Sequence, residues 1–250
     1  MASRDMSTIC LFDIDGTLTL PRQVISGEMK ECLKALQQKV GVGLVGGSDT
    51  AKIVEQMGNN SDVIKEYDYF FSENGVIAYK KGDLIGEESI QKHFGEDKLQ
   101  DVINFGLHYM STIRLPCKRG TFIEFRKSML NFCPIGRSCS QTERDAFSKY
   151  DQEHQVRKKF VNALYERFPD LGLHYVIGGQ ISIDVIPEGW NKSYCLKYVE
   201  RDGFKTIHFF GDKTQPGGND HEIYEDKRTI GHMVKNPDDT IQQLNELFLG

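Results

Sequence analysis

The chain has 250 residues, in which 31 Lys and Arg stand against 36 Asp and Glu for a formal net charge of −5 at pH 7. Hydrophobic residues make up 39% of the chain and charged residues 27%, a balance typical of a globular protein with a buried core. The mild acidity excludes the broad basic surface that binds nucleic acid or anionic membranes, so neither is an expected partner.

We expect neither a membrane span nor a secretory signal. The longest stretches without a charged residue, Val102–Ile113 and Leu171–Ile183, are too short to cross a bilayer. The apolar run Ile9–Phe12 is too short for the core of a signal peptide. The six cysteines are spread along the chain without a Cys-x-x-Cys pair, which favours reduced thiols in the cytosol over disulfides or structural zinc.

The first third of the chain alternates short apolar strands with amphipathic helices. Met29, Leu33 and Leu36 recur at helical spacing behind Ser26, a typical N-cap residue. Alternation of strand and helix favours a parallel sheet with helices on its faces. The predicted elements are strand Thr8–Phe12, helix Ser26–Val40, strand Val42–Val45, helix Asp49–Met57, strand Tyr69–Phe71 and a hairpin of Val76–Tyr79 with Leu84–Ile85.

The middle of the chain groups helices with antiparallel strands, which indicates a separate α+β unit inserted into the first. Its boundaries are predicted near residues 86 and 190. The predicted elements are helix Lys98–Ile113, strands Thr121–Arg126 and Asn131–Ile135, a long charged helix Gln141–Phe168, and strands Leu173–Ile177 and Gln180–Ile186.

The last part of the chain returns to the alternation of the first. The predicted fold is therefore α/β: a doubly wound, Rossmann-like core of residues 1–85 and 191–250 with an inserted α+β cap domain of residues 86–190. The predicted elements after Trp190 are helix Lys192–Arg201, strands Thr206–Phe210 and Ile230–Val234, and a final helix from Pro237.

The most informative segment is the run Asp13-Ile14-Asp15-Gly16-Thr17, directly after the first predicted strand. Ligands of open α/β sheets bind beyond the carboxyl ends of the strands, which is where this loop is expected. One carboxylate can attack phosphorus to form an aspartyl-phosphate, while the other moves a proton on or off the ester oxygen. Their negative charges call for a hard divalent cation beside the phosphate, best fitted by Mg²⁺. The alternative is an ordinary polar turn at the end of a strand.

Four later residues offer the remaining parts of a phosphate-transfer site. Ser48, in Gly46-Gly47-Ser48-Asp49, can hold a phosphate oxygen where a helix begins, although Ser-Asp is also an ordinary helix cap. Asp212 ends a strand and adds a carboxylate for a metal, and Asp220 follows in a Gly-rich loop. Lys192, at the start of a helix, can pair with phosphate, but most lysines at such positions are solvated.

The predicted cap adds a cluster of arginines, Arg126, Arg137 and Arg144, in a stretch poor in acidic residues. As a cluster they suit bidentate recognition of phosphate, while each alone could be a surface residue in a salt bridge. Ser182 and Asp184 lie two residues apart on a strand, so they share a face. They can reach sugar hydroxyls, or they can simply line the wet face of the sheet.

The types and spacing of these residues resemble the sequence motifs of a known superfamily. In order, Asp13-x-Asp15-Gly16-Thr17, Ser48, Lys192 and Gly211-Asp212…Asp220 resemble the four motifs of the haloacid-dehalogenase-like phosphotransferases. The resemblance to one family, the eukaryotic phosphomannomutases, covers essentially the whole chain. The segments that carry it are Phe12–Arg22, Val45–Asp49, Arg119–Arg126, Met129–Ser140, Gly178–Asp184, Gly189–Leu196 and Phe209–Ile223. The sequence departs from the family pattern at two places: Lys127-Ser128 replaces the usual Asn-Gly, and Asn191 replaces a common Asp.

The resemblance implies a role for each candidate residue. It makes Asp13 the nucleophile and Asp15 the general acid/base. The residues it assigns to metal are Asp13, the Asp15 carbonyl, Asp212 and Asp220, with a second, looser cation site at Tyr224, Asp226 and Thr229. The residues it assigns to the sugar and its phosphates are Arg22, Ser48, Arg126, Arg137, Arg144, Ser182, Asp184 and Lys192.

The resemblance also implies a function. A member of this family is expected to interconvert mannose 6-phosphate and mannose 1-phosphate through an aspartyl-phosphate and a hexose 1,6-bisphosphate, which also serves as activator. Mg²⁺, a cytosolic homodimer joined through the caps and a supply of GDP-mannose for protein glycosylation are further implications. The alternatives are a sugar-phosphate phosphatase of the same superfamily and a non-catalytic protein that binds phosphosugars.

Overall fold

The computed structural model describes residues 4–21 and 23–250 and divides into two compact units. The core unit runs to Glu87 and resumes at Gly189, and the cap unit is Glu88–Glu188. Arg22, one of the predicted substrate-binding residues, lies outside the described residues. No helix in the described ranges combines the length and the apolar character that a membrane span needs.

The first part of the core has the predicted alternation of strand and helix. Ser26 caps the first helix by accepting a hydrogen bond from the amide of Met29. A short 3₁₀ helix, Glu73–Gly75, precedes the hairpin. The elements are β1 (Thr8–Phe12), α1 (Gly27–Gln37), β2 (Gly41–Val45), α2 (Thr50–Gln56), α3 (Val63–Glu66), β3 (Tyr69–Ser72), β4 (Ile77–Lys80) and β5 (Asp83–Glu87).

The cap unit contains an antiparallel sheet of four strands, in the spatial order Ile123–Phe125, Leu130–Phe132, Ser182–Pro187 and Leu173–Gly178. The prediction of one helix over Gln141–Phe168 is wrong, because the chain breaks at Gln155, which has a left-handed φ of 52°. The elements are α4 (Ile90–Phe94), α5 (Glu96–Thr112), β6 (Ile123–Phe125), β7 (Leu130–Phe132), α6 (Gln141–His154), α7 (Val156–Arg167), β8 (Leu173–Gly178) and β9 (Ser182–Pro187).

The last part of the chain completes the core sheet. The predicted helix Lys192–Arg201 is correct only from Leu196, since Lys192–Cys195 is a 3₁₀ helix. Oδ1 of Asn191 caps that turn by accepting a hydrogen bond from the backbone amide of Ser193 at 3.0 Å. The asparagine side chain therefore supplies the hydrogen-bond acceptor that an aspartate would supply at this position. The elements are α8 (Leu196–Arg201), β10 (Thr206–Gly211), α9 (His221–Tyr224), β11 (Thr229–Met233), α10 (Pro237–Leu244) and a π-helical turn at Asn245–Leu249.

The core sheet has seven strands in the order β11-β10-β1-β2-β3-β4-β5, of which the first five are parallel and the β4–β5 hairpin is antiparallel. This confirms the prediction of a doubly wound α/β core. The strand order runs outward in both directions from β1, and open sheets bind ligands beyond the carboxyl ends of the strands at such a point.

The sheet is buried on both faces, as its apolar strands predict. In β1, Cys10 and Phe12 join one hydrophobic cluster, while Ile9 and Leu11 join another. Alternate residues of a strand point to opposite faces, so the two clusters fill the two sides of one sheet. The carboxyl end of β1 is thereby fixed at the middle of the sheet edge.

Candidate active site

The loop after β1 turns sharply and presents its carboxylates at the carboxyl edge of the sheet. The amide of Asp13 continues the strand pairing by donating to the carbonyl of Phe210 at 2.9 Å, and the amide of Thr19 closes the turn on the Ile14 carbonyl at 3.0 Å. Gly16 has a φ of 86°, and a Cβ there would overlap the carboxylate of Asp212. Glycine is needed at this position both for its backbone angle and for the close approach of Asp212.

Asp13 lies in a buried ion-pair network. Its side chain is paired with the ammonium of Lys192, which is also paired with Asp220. Lys192 and Asp220 are fully buried, and Asp13 is 4% exposed. Lys192 is therefore not the solvated lysine of the alternative interpretation. The Lys192 ammonium, held between two carboxylates, places a fixed positive charge beside the predicted nucleophile.

Burial and neighbouring charges shift the pKa values of Asp13, Lys192 and Asp212. Burial raises the pKa of Asp13, against the opposing effect of the Lys192 ammonium. Burial also raises the pKa of Asp212. For Lys192, burial alone lowers the pKa, but the carboxylates of Asp13 and Asp220 outweigh it and leave the pKa above its usual value. The lysine therefore stays charged, while burial favours the protonated forms of Asp13 and Asp212.

The same carboxylates fit a divalent cation. One oxygen each from Asp13, Asp212 and Asp220 lie within 4.8 Å of one another. Within the described ranges, Oδ1 of Asp212 is a buried oxygen for which the structure provides no hydrogen-bond partner. Buried polar atoms without a partner are rare, and a hard cation such as Mg²⁺ takes oxygen ligands. The orphaned oxygen supports the predicted metal site.

Asp15 is held by a residue that the sequence did not indicate. Nε2 of Gln56 donates to Oδ1 of Asp15 at 2.7 Å, and Gln56 is only 5% exposed. Gln56 is the last residue of α2, and its carbonyl accepts from the amide of Ile25 at 2.8 Å. The available signal was a polar residue three positions after Ile53, on the buried face of this short helix.

The loop after β2 places Ser48 at the same edge of the sheet. Asp49, rather than Ser48, caps α2 by accepting from the amide of Lys52 at 2.9 Å. The Glu73–Gly75 turn holds this loop in place, because the amide of Glu73 donates a hydrogen bond to the carbonyl of Ser48 at 2.9 Å. The Ser-Asp pair thus does cap the helix, as the alternative interpretation held, but through the carboxylate of Asp49 and not through the Ser48 hydroxyl.

A cavity of about 190 Å³ joins these groups within the core unit. It brings together three of the predicted site residues and adds three polar residues that were not predicted. The predicted ones are Asp13, Asp15 and Ser48. The others are Gln56, Lys213 and Asn219, of which the last two flank the predicted Asp212 and Asp220 in sequence.

The residues of the expected second cation site lie along the connection from α9 to β11, from Tyr224 at the end of α9 to Thr229 at the start of β11. The carboxylate of Asp226 accepts three hydrogen bonds from Arg228, at 3.0, 2.8 and 2.7 Å. These bonds lower the pKa of Asp226. The hydroxyl of Thr229 donates to the Asp226 carbonyl at 3.0 Å, and Tyr224 ends the preceding helix. In this arrangement Arg228 supplies the positive charge to the carboxylate.

Most of the predicted cap residues form a polar network on the cap sheet. Arg126 and Arg137 both bond to Glu124, and Nη1 of Arg137 donates to Oδ1 of Asn131 at 2.6 Å. Asn131 in turn donates to Asp184 at 2.5 Å, across the register Asn131↔Asp184 of β7 and β9. Glu124 and Asn131 are additions to the predicted set, and alternation along β6 and β7 beside the arginines could have indicated them.

Arg144 and Ser182 make weaker contacts within the cap unit. Nη2 of Arg144 donates to the carbonyl of Arg137 at 3.2 Å. Glu143, one of the two acidic residues beside Arg144 in the sequence, is paired with Arg119 instead. The hydroxyl of Ser182 donates to the Gly178 carbonyl at 3.2 Å, and Ser182 is mostly buried.

Comparison with known proteins identifies the family. The sequence model of the eukaryotic phosphomannomutases matches residues 29–250. The chain belongs to the eukaryotic phosphomannomutase family. It is 57% identical to a phosphomannomutase of Glycine max over 249 residues, covering 100% of this chain and 99% of that protein. It is 53% identical to phosphomannomutase 1 of Homo sapiens over 247 residues, covering 99% of this chain and 94% of that one.

Solved structures of lower identity share the fold of this family member. An IMP-nucleotidase of Plasmodium falciparum aligns with a TM-score of 0.61 at 15% identity, over 97% of this chain and 68% of its own. A trehalose-6-phosphate phosphatase of Aspergillus fumigatus aligns with a TM-score of 0.55 at 18% identity, over 96% of this chain and 92% of its own. A sugar phosphatase described as haloacid-dehalogenase subclass IIB has a TM-score of 0.57 at 16% identity, over 95% and 91%. At these identities the likeness supports the fold alone.

Proposed function

We propose that this protein is a phosphomannomutase that interconverts mannose 6-phosphate and mannose 1-phosphate. One observation carries the proposal: in a chain of this family, Asp13 is buried against Lys192 and Asp220, beside the cavity that also holds Asp15. A carboxylate beside a fixed cation and a second carboxylate has the parts that a phosphoryl-transfer site needs.

In the proposed reaction, a carboxylate oxygen of Asp13 attacks phosphorus of the bisphosphate. The bond from phosphorus to Asp13 forms, the bond to the sugar oxygen breaks, and Asp15 gives that oxygen a proton. In the return step Asp15 removes a proton from the other hydroxyl of a monophosphate, which takes the phosphoryl group from Asp13. Gln56 fixes the orientation of the Asp15 carboxylate during both transfers.

Lys192 and Ser48 would each assist the transferring phosphoryl group. The Lys192 ammonium balances charge at Asp13, and the Ser48 hydroxyl donates to a phosphoryl oxygen. Mg²⁺, when bound by Asp13, Asp212 and the Asp15 carbonyl with support from Asp220, would supply the charge that lets an anionic nucleophile meet an anionic phosphate. A second, looser cation near Tyr224, Asp226 and Thr229 is part of the same proposal.

The cap unit supplies the second phosphate site that a mutase needs. One phosphoryl group of a hexose 1,6-bisphosphate reacts while the other must be held, and arginines suit that task. We assign it to Arg126, Arg137 and Arg144, with Arg22 as a further candidate. Ser182 and Asp184 are assigned to sugar hydroxyls. The core is thus the catalytic domain, and the cap binds substrate and joins two copies into a homodimer.

The proposed setting follows from the same family relationship. The enzyme acts in the cytoplasm on small sugar phosphates, uses a hexose 1,6-bisphosphate as activator and supplies GDP-mannose synthesis. Six free cysteines are compatible with a reducing compartment.

The direct test follows phosphorus by NMR in a mixture of the protein, mannose 1-phosphate, Mg²⁺ and a trace of hexose 1,6-bisphosphate. Mannose 6-phosphate is the expected product. Inorganic phosphate alone would instead identify a sugar-phosphate phosphatase of the same superfamily. Absence of both products would favour a binding protein.

A further inference from the structure

Glu124 lies between two of the arginines assigned to phosphate. Nε and Nη2 of Arg126 donate to Oε2 of Glu124 at 2.9 and 2.6 Å. Nε of Arg137 lies 3.1 Å from the same oxygen. One carboxylate oxygen therefore receives both guanidinium groups, as an oxygen of a bound phosphate would.

The exposure of these three side chains allows another anion to displace Glu124 from the two arginines. The side chains of Arg126 and Glu124 are each 39% exposed, and that of Arg137 is 30% exposed. Ion pairs at such exposure stabilise a protein only slightly, because water screens them. A dianionic phosphate carries more charge than a carboxylate and can replace it without a large loss of stability.

A more deeply buried ion pair in the same chain shows the contrast. Arg157 is paired with Asp151, each side chain 10% exposed, and Nη1 of Arg157 also donates to the Gly179 carbonyl at 2.9 Å. Arg157 is therefore held in place by contacts within the folded chain. The guanidiniums at Glu124 have only Asn131 as a second side-chain partner among the described contacts, through Nη1 of Arg137.

We infer that Glu124 is an exchangeable internal anion, which occupies the two guanidiniums when no phosphate is bound and competes with the sugar phosphate for them. This inference rests on the proposed function of Arg126 and Arg137. A bisphosphate that reacts at both ends must leave the cap arginines and return with its ends exchanged. A carboxylate that takes over the donors lowers the affinity for phosphate and speeds its release.

The alternative is that Glu124 merely holds the arginines in place. The two roles predict opposite changes in the affinity for phosphate when Glu124 is removed. Removing a competitor strengthens the binding of phosphate, while removing a support weakens it.

The test is Glu124→Gln, which keeps the size of the side chain and removes its charge. Binding of mannose 1-phosphate is measured by calorimetry in the Asp13→Asn background, where turnover does not interfere. We expect the dissociation constant to fall about three- to tenfold, because an exposed ion pair contributes up to about a factor of five and two guanidiniums are released. In the otherwise native enzyme KM should fall without a rise in kcat.

Glu143→Gln is the matched control. It removes the same charge from a glutamate paired with an arginine, Arg119, that is not assigned to phosphate. Its capping box with Ser140 tolerates Gln at this position. This variant should leave the dissociation constant within about twofold of the parent.

Further variants separate this inference from the proposed function. In an Arg126→Gln, Arg137→Gln background, Glu124→Gln should no longer tighten binding. A raised or unchanged dissociation constant in Glu124→Gln overturns the inference. Equal tightening without the two arginines also overturns it. A failure of the proposed function is read independently, as absence of mannose 6-phosphate with the native protein, since the binding measurement needs no turnover.

Discussion

Lys192 shows how burial changes the chemistry of a side chain that looks ordinary in the sequence. A lysine at the start of a helix is usually solvated, yet here it is fully buried between Asp13 and Asp220. Breaking such a pair leaves an uncompensated charge, which is costly. This buried position therefore requires the charged form of Lys192, which places a permanent positive charge beside the predicted nucleophile.

Asp15 and Gln56 give the first prediction. Asp15→Asn should slow mannose phosphate turnover by about 10²-fold or more, because the proton can no longer be shuttled. Gln56→Leu removes one hydrogen bond to the acid/base and should lower kcat about tenfold, with little change in KM. Steady-state kinetics measure both effects.

Gln37→Leu is the control for the second variant, since Gln37 donates to the Glu66 carbonyl away from the cavity. Equal losses of kcat in Gln37→Leu and Gln56→Leu would argue against a specific role for Gln56. An unchanged rate in Asp15→Asn would show that another group carries the proton.

The cluster of Asp13, Asp212 and Asp220 gives the second prediction. Chelation with EDTA should abolish turnover and Mg²⁺ should restore it. Mg²⁺ should also raise the melting temperature of the native protein, because a ligand that binds only the folded state stabilises it. The shift should disappear in Asp212→Asn, which lacks the orphaned oxygen's charge. Full activity after metal removal would contradict the metal site.

At the scale of single residues, the sequence identified groups with a strong chemical signal and missed those that act through them. Asp13, Asp212 and Asp220 could be expected together because parallel strands end at one edge. Gln56 and Asn131 could not be found in that way, since their importance depends on which side chains the fold brings opposite them.

At the scale of elements, regular periodicity predicted strands and helices well, and irregular backbone caused the errors. Gln141–Phe168 reads as one helix because no glycine or proline interrupts it. Across the break at Gln155, Asp151 accepts from both the amide and the guanidinium of Arg157, and the same guanidinium donates to the distant carbonyl of Gly179. Local propensity alone cannot reveal such a contact.

The third prediction concerns this helix corner. Arg157→Met leaves the buried carboxylate of Asp151 without its cation and removes hydrogen bonds to the carbonyls of Gly178, Gly179 and Ser182. The free energy of unfolding should fall by about 3–5 kcal/mol, the usual effect of breaking a buried ion pair. Denaturant unfolding measures it.

Lys158→Met provides the control, since Lys158 is the exposed neighbour on the same helix. Its free energy of unfolding should change by at most about 0.5 kcal/mol. Similar losses in both variants would mean that the Asp151–Arg157 pair does not hold the corner.

At the scale of the whole molecule, the chain divides into a core that holds the carboxylate cluster and a cap that holds an arginine network. The doubly wound core follows from the alternation of elements in the sequence, and the separate cap from its antiparallel strands. The predicted fold class was correct because both signals are periodic and extend over many residues.

Arg144 gives the fourth prediction, which separates a mutase from a phosphatase. Arg144→Gln should weaken the binding of mono- and bisphosphate, since one charge-assisted hydrogen bond contributes roughly 1.5–3 kcal/mol. Water should then capture more of the aspartyl-phosphate, so that the ratio of hydrolysis to isomerisation rises. Both products are quantified by phosphorus NMR in one reaction, with wild type alongside. An unchanged affinity and ratio would remove Arg144 from the phosphate site.

The central claim is that Asp13 carries the phosphoryl group between sugars. The protein is incubated briefly with ³²P-labelled hexose 1,6-bisphosphate and Mg²⁺, quenched in acid and reduced with borohydride, which converts an aspartyl-phosphate to homoserine. The account predicts label on the native protein before reduction, homoserine at Asp13 after it, and neither in Asp13→Asn, whose fold should survive by its melting temperature. Turnover without label, substantial activity in Asp13→Asn, or homoserine at another position would contradict it.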